Sequence, residues 1–148
     1  FFNVYGPRQN PIYVVSKSIH RVLNGLSPEL YDGGNQTRCF TYIDDVIDGL
    51  ILAATLDAAI GEVINLGNPV ENDMSEVVDA VLSAANSDLP VIDILTSEKY
   101  GGVYEDIPRR VPAVDKAHKL LGWKPKTSMK EGVSKSVSWA QNNQWYLD

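Results

Sequence analysis

Four of the five arginines in this chain stand beside turns or prolines: Arg8 follows Gly6-Pro7, Arg38 follows Gly33-Gly34, and Arg109 and Arg110 lie between Pro108 and Pro112. A guanidinium presents a planar fork of donors that fits carboxylate or phosphate oxygens in pairs, so arginines converging from separate loops make an anion clamp. The alternative for any one of them is a solvated surface charge. Asn3 belongs to the same chemistry, because it sits where an apolar run gives way to the Gly6-Pro7 turn, at the carboxyl edge of a strand where open α/β sheets bind ligands. Its competing role is to satisfy turn backbone. Tyr13 and Lys17 repeat the Tyr-x-x-x-Lys spacing in which a lysine lowers the phenol's pKa for acid–base work. With seven tyrosines in 148 residues that spacing arises easily by chance, and we read it as a coincidence. The stretch YGGVYEDIPRRVP gathers aromatic rings with Glu105, Asp106, Arg109 and Arg110 on a proline-stiffened loop, which suits recognition of a sugar or base. An ordinary crossover with solvated charges accounts for it equally well.

These side chains need a frame. Ile12, Val15, Ile19, Val22 and Leu23 recur at helical spacing, and Gly25 then offers a left-handed stop. In ELYDGGNQTRCFTYI, strand-forming residues flank Asp32-Gly33-Gly34 and predict two short strands around a glycine turn. Asp44 is placed to cap a helix with the stripe Val46, Ile47, Leu50, Ile51 and Ala54, and EVINLG then reads as a buried strand. Asp73 and Glu76 have capping-box spacing ahead of Val77, Val78, Val81 and Leu82, and PVIDIL is another strand. Asp115 is the expected cap of KAHKLLGW, and Ser128 with Glu131 is a second capping box before Val133, Val137 and Ala140. Strands alternating with helices predict an α/β fold with parallel pairing.

Composition narrows the partners. The 148 residues are 44% apolar and 22% charged, enough for one domain with a core. A net charge of -6 weighs against nucleic acid and anionic membranes, so any bound anion must be held locally. The single Cys39 rules out an internal disulfide and a CxxC metal site, and His20 and His118 lack ligand spacing, so no metal is expected. There is no apolar run of transmembrane length and no basic signal-peptide start, which makes cytoplasmic the default location. FFNVYGPRQ opens as if inside a β-strand, and the expectation is that an upstream portion lies outside this sequence.

Five stretches in order, FNVYGPRQ, YDGGNQTRCFTYIDDVIDGL, GEVINLGNP, RRVP and LGWKPKTSMKEGV, resemble the carboxyl-terminal half of the extended short-chain dehydrogenase/reductases of the NAD-dependent epimerase/dehydratase family, which act on nucleotide sugars. Each is degenerate alone; five in register are specific. The resemblance implies, across residues 1–148, the last strands of a Rossmann-like NAD(P)-binding fold plus the small α/β substrate-binding domain. The glycine fingerprint and the catalytic Tyr-x-x-x-Lys would then lie upstream, leaving no catalytic residue here beyond an assisting Arg110. The resemblance assigns Asn3 and Arg38 to the nucleotide diphosphate, Arg110 to a phosphate or the sugar, and Tyr104 to the same loop. It assigns the backbone of Tyr31 to uracil and that of Phe2 to the nicotinamide. The implied cofactor is NAD, held mainly by the upstream half, and the implied substrate is a UDP-sugar. The implied reaction passes through a C4-oxidised, 4-keto intermediate to decarboxylation, with epimerisation or dehydration as alternatives. Two departures matter: Tyr13-Val14-Val15-Ser16 replaces the Arg-Val-Val-Ser frequent in decarboxylases, which keeps a 4-epimerase in contention, and Ala113 replaces a common Asp. A homodimer is implied at full length, and uncovered sheet edges predict self-association of these residues alone. The reading of another class is a non-catalytic UDP-sugar-binding or structural module.

Overall fold

The computed structural model describes residues 1–97, 107 and 109–148. In chain order the elements are β1 (Val4–Tyr5), α1 (Val14–Leu23), β2 (Glu29–Tyr31), β3 (Thr37–Cys39), β4 (Thr41–Tyr42), α2 (Ile43–Thr55), β5 (Glu71–Asp73), α3 (Met74–Ala85), β6 (Ile92–Ile94), α4 (Asp115–Leu121) and α5 (Met129–Gln141). The architecture is α/β, with β1 parallel to β4, β2 parallel to β6 and β3 antiparallel to β5.

α1, α3 and α5 pack on one another around the main core, where Val15, Ile19 and Val22 meet Val77, Val81, Val133 and Val137 beneath the rings of Tyr5, Phe40 and Tyr42. α1 ends as its sequence dictates: Gly25, at φ +71, donates to the Val22 carbonyl at 3.0 Å and Leu26 donates to that of Arg21 at 2.8 Å, consuming two orphan carbonyls. Ile12 precedes the helix and is exposed. α3 has the full capping box, Asp73 Oδ1 accepting from Glu76 N at 2.8 Å and Glu76 Oε2 accepting from Asp73 N at 3.1 Å. Ser128 caps α5 by the first of these two bonds only.

Several expectations are corrected. The strands flanking Asp32-Gly33-Gly34 form but do not pair with each other. Asp32 and both glycines take positive φ in a short 3-10 turn tied to the β6 region, with Thr96 N donating to Asp32 at 2.9 Å and Gly33 N donating to Asp93 at 3.0 Å. β2 therefore runs beside β6, and β3 leaves for β5. EVINLG forms no strand among the described residues, with Val63 exposed and Leu66 buried. Asp44 and Asp115 lie inside the first turns of α2 and α4, whose N-caps are Tyr42 and Val114. Of the expected α2 stripe only Val46 is buried: Asp45 and Gly49 turn inward with it while Ile47, Leu50 and Ile51 are exposed. The cause is Gly49, where a Cβ would stand 2.8 Å from Leu66 Cδ1 and 3.0 Å from Trp123 Nε1, so the second core cluster closes on this bare backbone.

A charged cluster joins α1 to β2. Glu29 Oε2 accepts from Lys17 Nζ at 2.5 Å and from the Tyr31 hydroxyl at 2.9 Å, while Arg21 lies 3.0 Å from Glu29 Oε1. Burial alone would raise the Glu29 pKa, but the hydrogen bonds from Lys17 and Tyr31 and the two cationic charges outweigh it and hold the carboxyl at about 2. Because the folded value lies below that of the unfolded chain, about 4.3, the stabilisation is complete above that pH and is lost as pH falls toward 2. Solvent screening reduces it to roughly 1–2 kcal/mol. Urea unfolding should therefore show the wild type losing that much more stability than Glu29→Gln between pH 6 and pH 2.5. Parallel losses in the two proteins would refute the assignment.

Candidate active-site cavity

Where β1, the start of α1 and the β3–β5 pair meet, a cavity of about 460 Å³ is lined by Asn3, Gln9, Tyr13, Gln36, Arg38 and Met74 together with apolar neighbours. Asn3 immediately precedes β1 and lines the cavity with φ +37, a left-handed conformation that asparagine tolerates. Its Nδ2 donates to the Cys39 carbonyl at 2.9 Å and its carbonyl accepts from Thr41 N at 3.2 Å. The structure places Asn3 just before β1 rather than at the carboxyl end of a strand, because pairing with β4 begins only at Val4. Its side chain satisfies the Cys39 backbone instead of the Gly6-Pro7 turn, which fixes it in the cavity wall.

Arg38 stands in the middle of β3 opposite Asn72 of β5, with Nη1 donating to the Thr37 carbonyl at 2.7 Å. The strand pair is braced beside it. Glu71, opposite Cys39, accepts from Thr37 Oγ1 at 2.9 Å and takes a two-pronged grip from Arg109, Nη2 to Oε2 at 2.7 Å and Nε to Oε1 at 3.1 Å. The Arg109 and Thr37 hydrogen bonds hold the Glu71 carboxyl below its ordinary range. Of the arginine pair it is Arg109 that the fold anchors; Arg110 is exposed and lies outside the described cavity lining. Arg8 is exposed near the Trp145 ring, at 6.0 Å.

The remaining candidates are placed as follows. Tyr31 is outside the described lining, its hydroxyl engaged with Glu29 and Lys17. Phe2 is half-buried and its carbonyl accepts from Thr41 Oγ1 at 2.9 Å. Tyr104 lies outside the described residues. The Tyr13–Lys17 spacing is a coincidence here as well, since Lys17 Nζ goes to Glu29 and Tyr31 while Tyr13 is 56% exposed on the cavity rim. Sequence reading missed Gln9, Gln36 and Met74. Neutral amides and a methionine carry no chemical signature until a fold closes around them; only the position of Gln9 just past Gly6-Pro7 hinted at a strand-end role.

The sequence model of the GDP-mannose 4,6 dehydratase family matches residues 1–136. The chain belongs to that family. Within the GDP-mannose 4,6 dehydratase family and its relatives, it is 31% identical over 142 residues to a UDP-N-acetyl-alpha-D-glucosaminuronate decarboxylase of Bacillus cytotoxicus, covering 94% of this chain and 44% of that protein. It is 37% identical over 134 residues to UDP-glucuronic acid decarboxylase 3 of Arabidopsis thaliana, covering 89% of this chain and 37% of the relative. Its fold superposes with a TM-score of 0.83 and 27% identity on the UDP-glucuronic acid 4-epimerase of Bacillus cereus solved with UDP-glucuronic acid and NAD, over 95% of this chain and 43% of that one. The chain thus spans less than half the length of these relatives. No Gly-x-x-Gly-x-x-Gly occurs in the sequence, and Gly67 packs closely on Phe2 and Pro112, a Cβ there coming within 3.1 Å of both.

Proposed function

We propose that this chain supplies the nucleotide-sugar-binding portion of an NAD-dependent enzyme that modifies UDP-sugars, with UDP-glucuronate decarboxylation as the reaction it serves. The observation that carries this reading is that Asn3, just before β1, and Arg38, in β3, line one cavity with two glutamines. In a protein of net charge -6, Arg38 is a localised cation beside amide groups, the combination that a diphosphate joined to a polar ring requires. The nucleotide is remote from the reacting sugar carbon, so its binding energy serves to hold and orient the sugar. In this proposal the Tyr31 backbone meets the base, Arg110 and Tyr104 attend the sugar end, and Phe2 faces the nicotinamide, which NAD brings with the rest of the enzyme.

Decarboxylation is favoured by the names of the relatives from Bacillus cytotoxicus and Arabidopsis thaliana. A UDP-sugar 4-epimerase is the second reading, supported by Tyr13 on the cavity rim in place of an arginine. Titration calorimetry with UDP should give saturable binding that Arg38→Ala weakens about thirtyfold, the worth of a charge-assisted hydrogen-bonded contact. No heat from the wild type, or an unchanged affinity in Arg38→Ala, would overturn the proposal. Release of CO2 from UDP-glucuronate by the whole enzyme, against formation of the C4 epimer, separates the two reactions.

A further inference from the structure

Thr41 is fully buried in β4, opposite Val4 of β1, and divides its hydroxyl between two partners outside that pairing. Its Oγ1 donates to the Phe2 carbonyl at 2.9 Å and accepts from the Asn68 N–H at 2.9 Å, while its backbone N–H donates to the Asn3 carbonyl at 3.2 Å. The two bonds it donates act on different torsions of Asn3. The Phe2 carbonyl lies in the peptide plane whose rotation is φ of Asn3, and the Asn3 carbonyl lies in the plane whose rotation is ψ. The backbone bond therefore holds ψ and the side-chain bond holds φ. Asn3 sits at φ +37, a region that residues other than glycine adopt at a cost and keep only when their surroundings impose it. Removing the hydroxyl releases that torsion, and with it the frame from which Asn3 Nδ2 meets the Cys39 carbonyl at 2.9 Å. At the other end of the relay Asn68 is a firm anchor, because Val70 N closes its loop by donating to Asn68 Oδ1 at 3.0 Å.

We propose that Thr41 is a positioning residue for the nucleotide: its hydroxyl ties the loop at Asn68 to the Phe2–Asn3 bend and so holds Asn3 in the wall of the cavity it shares with Arg38. This rests on the nucleotide-sugar reading and adds to it a residue outside the described cavity lining. Valine matches threonine in shape but leaves the Phe2 carbonyl without this donor and the Asn68 N–H without this acceptor, whereas serine keeps both bonds.

The test is a calorimetric cycle with UDP on the full chain: wild type, Thr41→Ser, Thr41→Val, Asn3→Ala and the double variant Thr41→Val/Asn3→Ala. UDP affinity should fall about tenfold in Thr41→Val, the worth of one hydrogen bond, and stay within about twofold of wild type in Thr41→Ser. In the Asn3→Ala background Thr41→Val should cost no further affinity, because the side chain it positions is gone. A further loss of the same size there would mean that Thr41 supports the fold at large, and an unchanged affinity in Thr41→Val would mean that it positions nothing; either overturns the proposal. Should Thr41→Val fail to fold, amide hydrogen exchange of the wild type decides. Coupling is reciprocal, so bound UDP should slow exchange at Asn68 about tenfold relative to Leu56 at the end of α2. No slowing at Asn68, or equal slowing at both amides, overturns the proposal. A wild type that gives no heat with UDP would overturn the nucleotide reading itself, and this proposal with it, and that outcome is distinguishable because it appears before any variant is compared.

Discussion

Gly132→Ala should destabilise the chain by about 2–3 kcal/mol in urea unfolding, although alanine is the better helix former by about 1 kcal/mol. Gly132 is buried in α5, and a Cβ there would fall onto the Tyr5 hydroxyl, 2.8 Å from Tyr5 Cζ and 2.9 Å from Tyr42 Cδ2. Neither ring can yield. They are buried, meet edge-on with centroids 5.6 Å apart, and ride on β1 and β4, which are paired through Val4↔Thr41 and Tyr5↔Tyr42. Burial, with smaller help from neighbouring acidic groups, pushes the Tyr5 phenol upward, so it stays neutral and keeps its 3.4 Å bond to the Met129 carbonyl. The opposed signs of propensity and packing make the experiment decisive: a stabilised variant would show that helix and strands do not approach this closely. Removing the hydroxyl with Tyr5→Phe in the Gly132→Ala background should recover part of the loss, since the oxygen is the nearest obstacle. The clash would also disturb the cavity wall, because Asn3 immediately precedes β1.

How much of this was legible depends on whether a feature is local. The stop of α1 at Gly25 and the capping box of α3 could be read directly, because each is decided within six residues by backbone geometry and short side chains. Strand partners could not. The residues around Asp32-Gly33-Gly34 have strand character on both sides, but the choice between a hairpin and two separate pairings is made by the bonds of Asp32 and Gly33 to the β6 region, more than fifty residues away. α2 misled for a related reason: its most apolar stripe was expected inside, yet a glycine decides which side the neighbours can approach.

The site divides in the same way. Asn3 and Arg38 line one cavity, but the strand-end argument for Asn3 pointed the wrong way along the chain, since Asn3 precedes β1 and a two-residue strand cannot be bounded from an apolar run alone. The choice between Arg109 and Arg110 was not legible, since adjacent arginines differ only in which finds a carboxylate, and Glu71 of β5 takes Arg109. Lys17 shows the converse, a motif-like spacing dissolved by a stronger partner, because an ionised glutamate one strand away outcompetes a phenol one turn away.

Asp45→Ala should cost about 3 kcal/mol and Asp45→Asn much less, a contrast that isolates one oxygen. Asp45 Oδ2 accepts from the backbone N–H groups of Lys126 at 3.1 Å and Thr127 at 2.9 Å, and the Asp45 carbonyl accepts from Trp123 Nε1 at 2.8 Å. The residue is only 4% exposed, so truncating its side chain strands two donors where water reaches poorly, each worth about 1–3 kcal/mol. Asparagine keeps a carbonyl oxygen in the same place. These bonds lash the segment from Trp123 to Thr127 onto α2 immediately before Ser128 starts α5, and α5 in turn packs on α1 and α3 at the core behind the cavity. The Trp123 bond is made by backbone and survives both substitutions, so its fluorescence serves as a local reference while urea midpoints report the global loss. Equal midpoints for Asp45→Ala and Asp45→Asn would mean that the strap is held by packing around Trp123 rather than by the carboxylate.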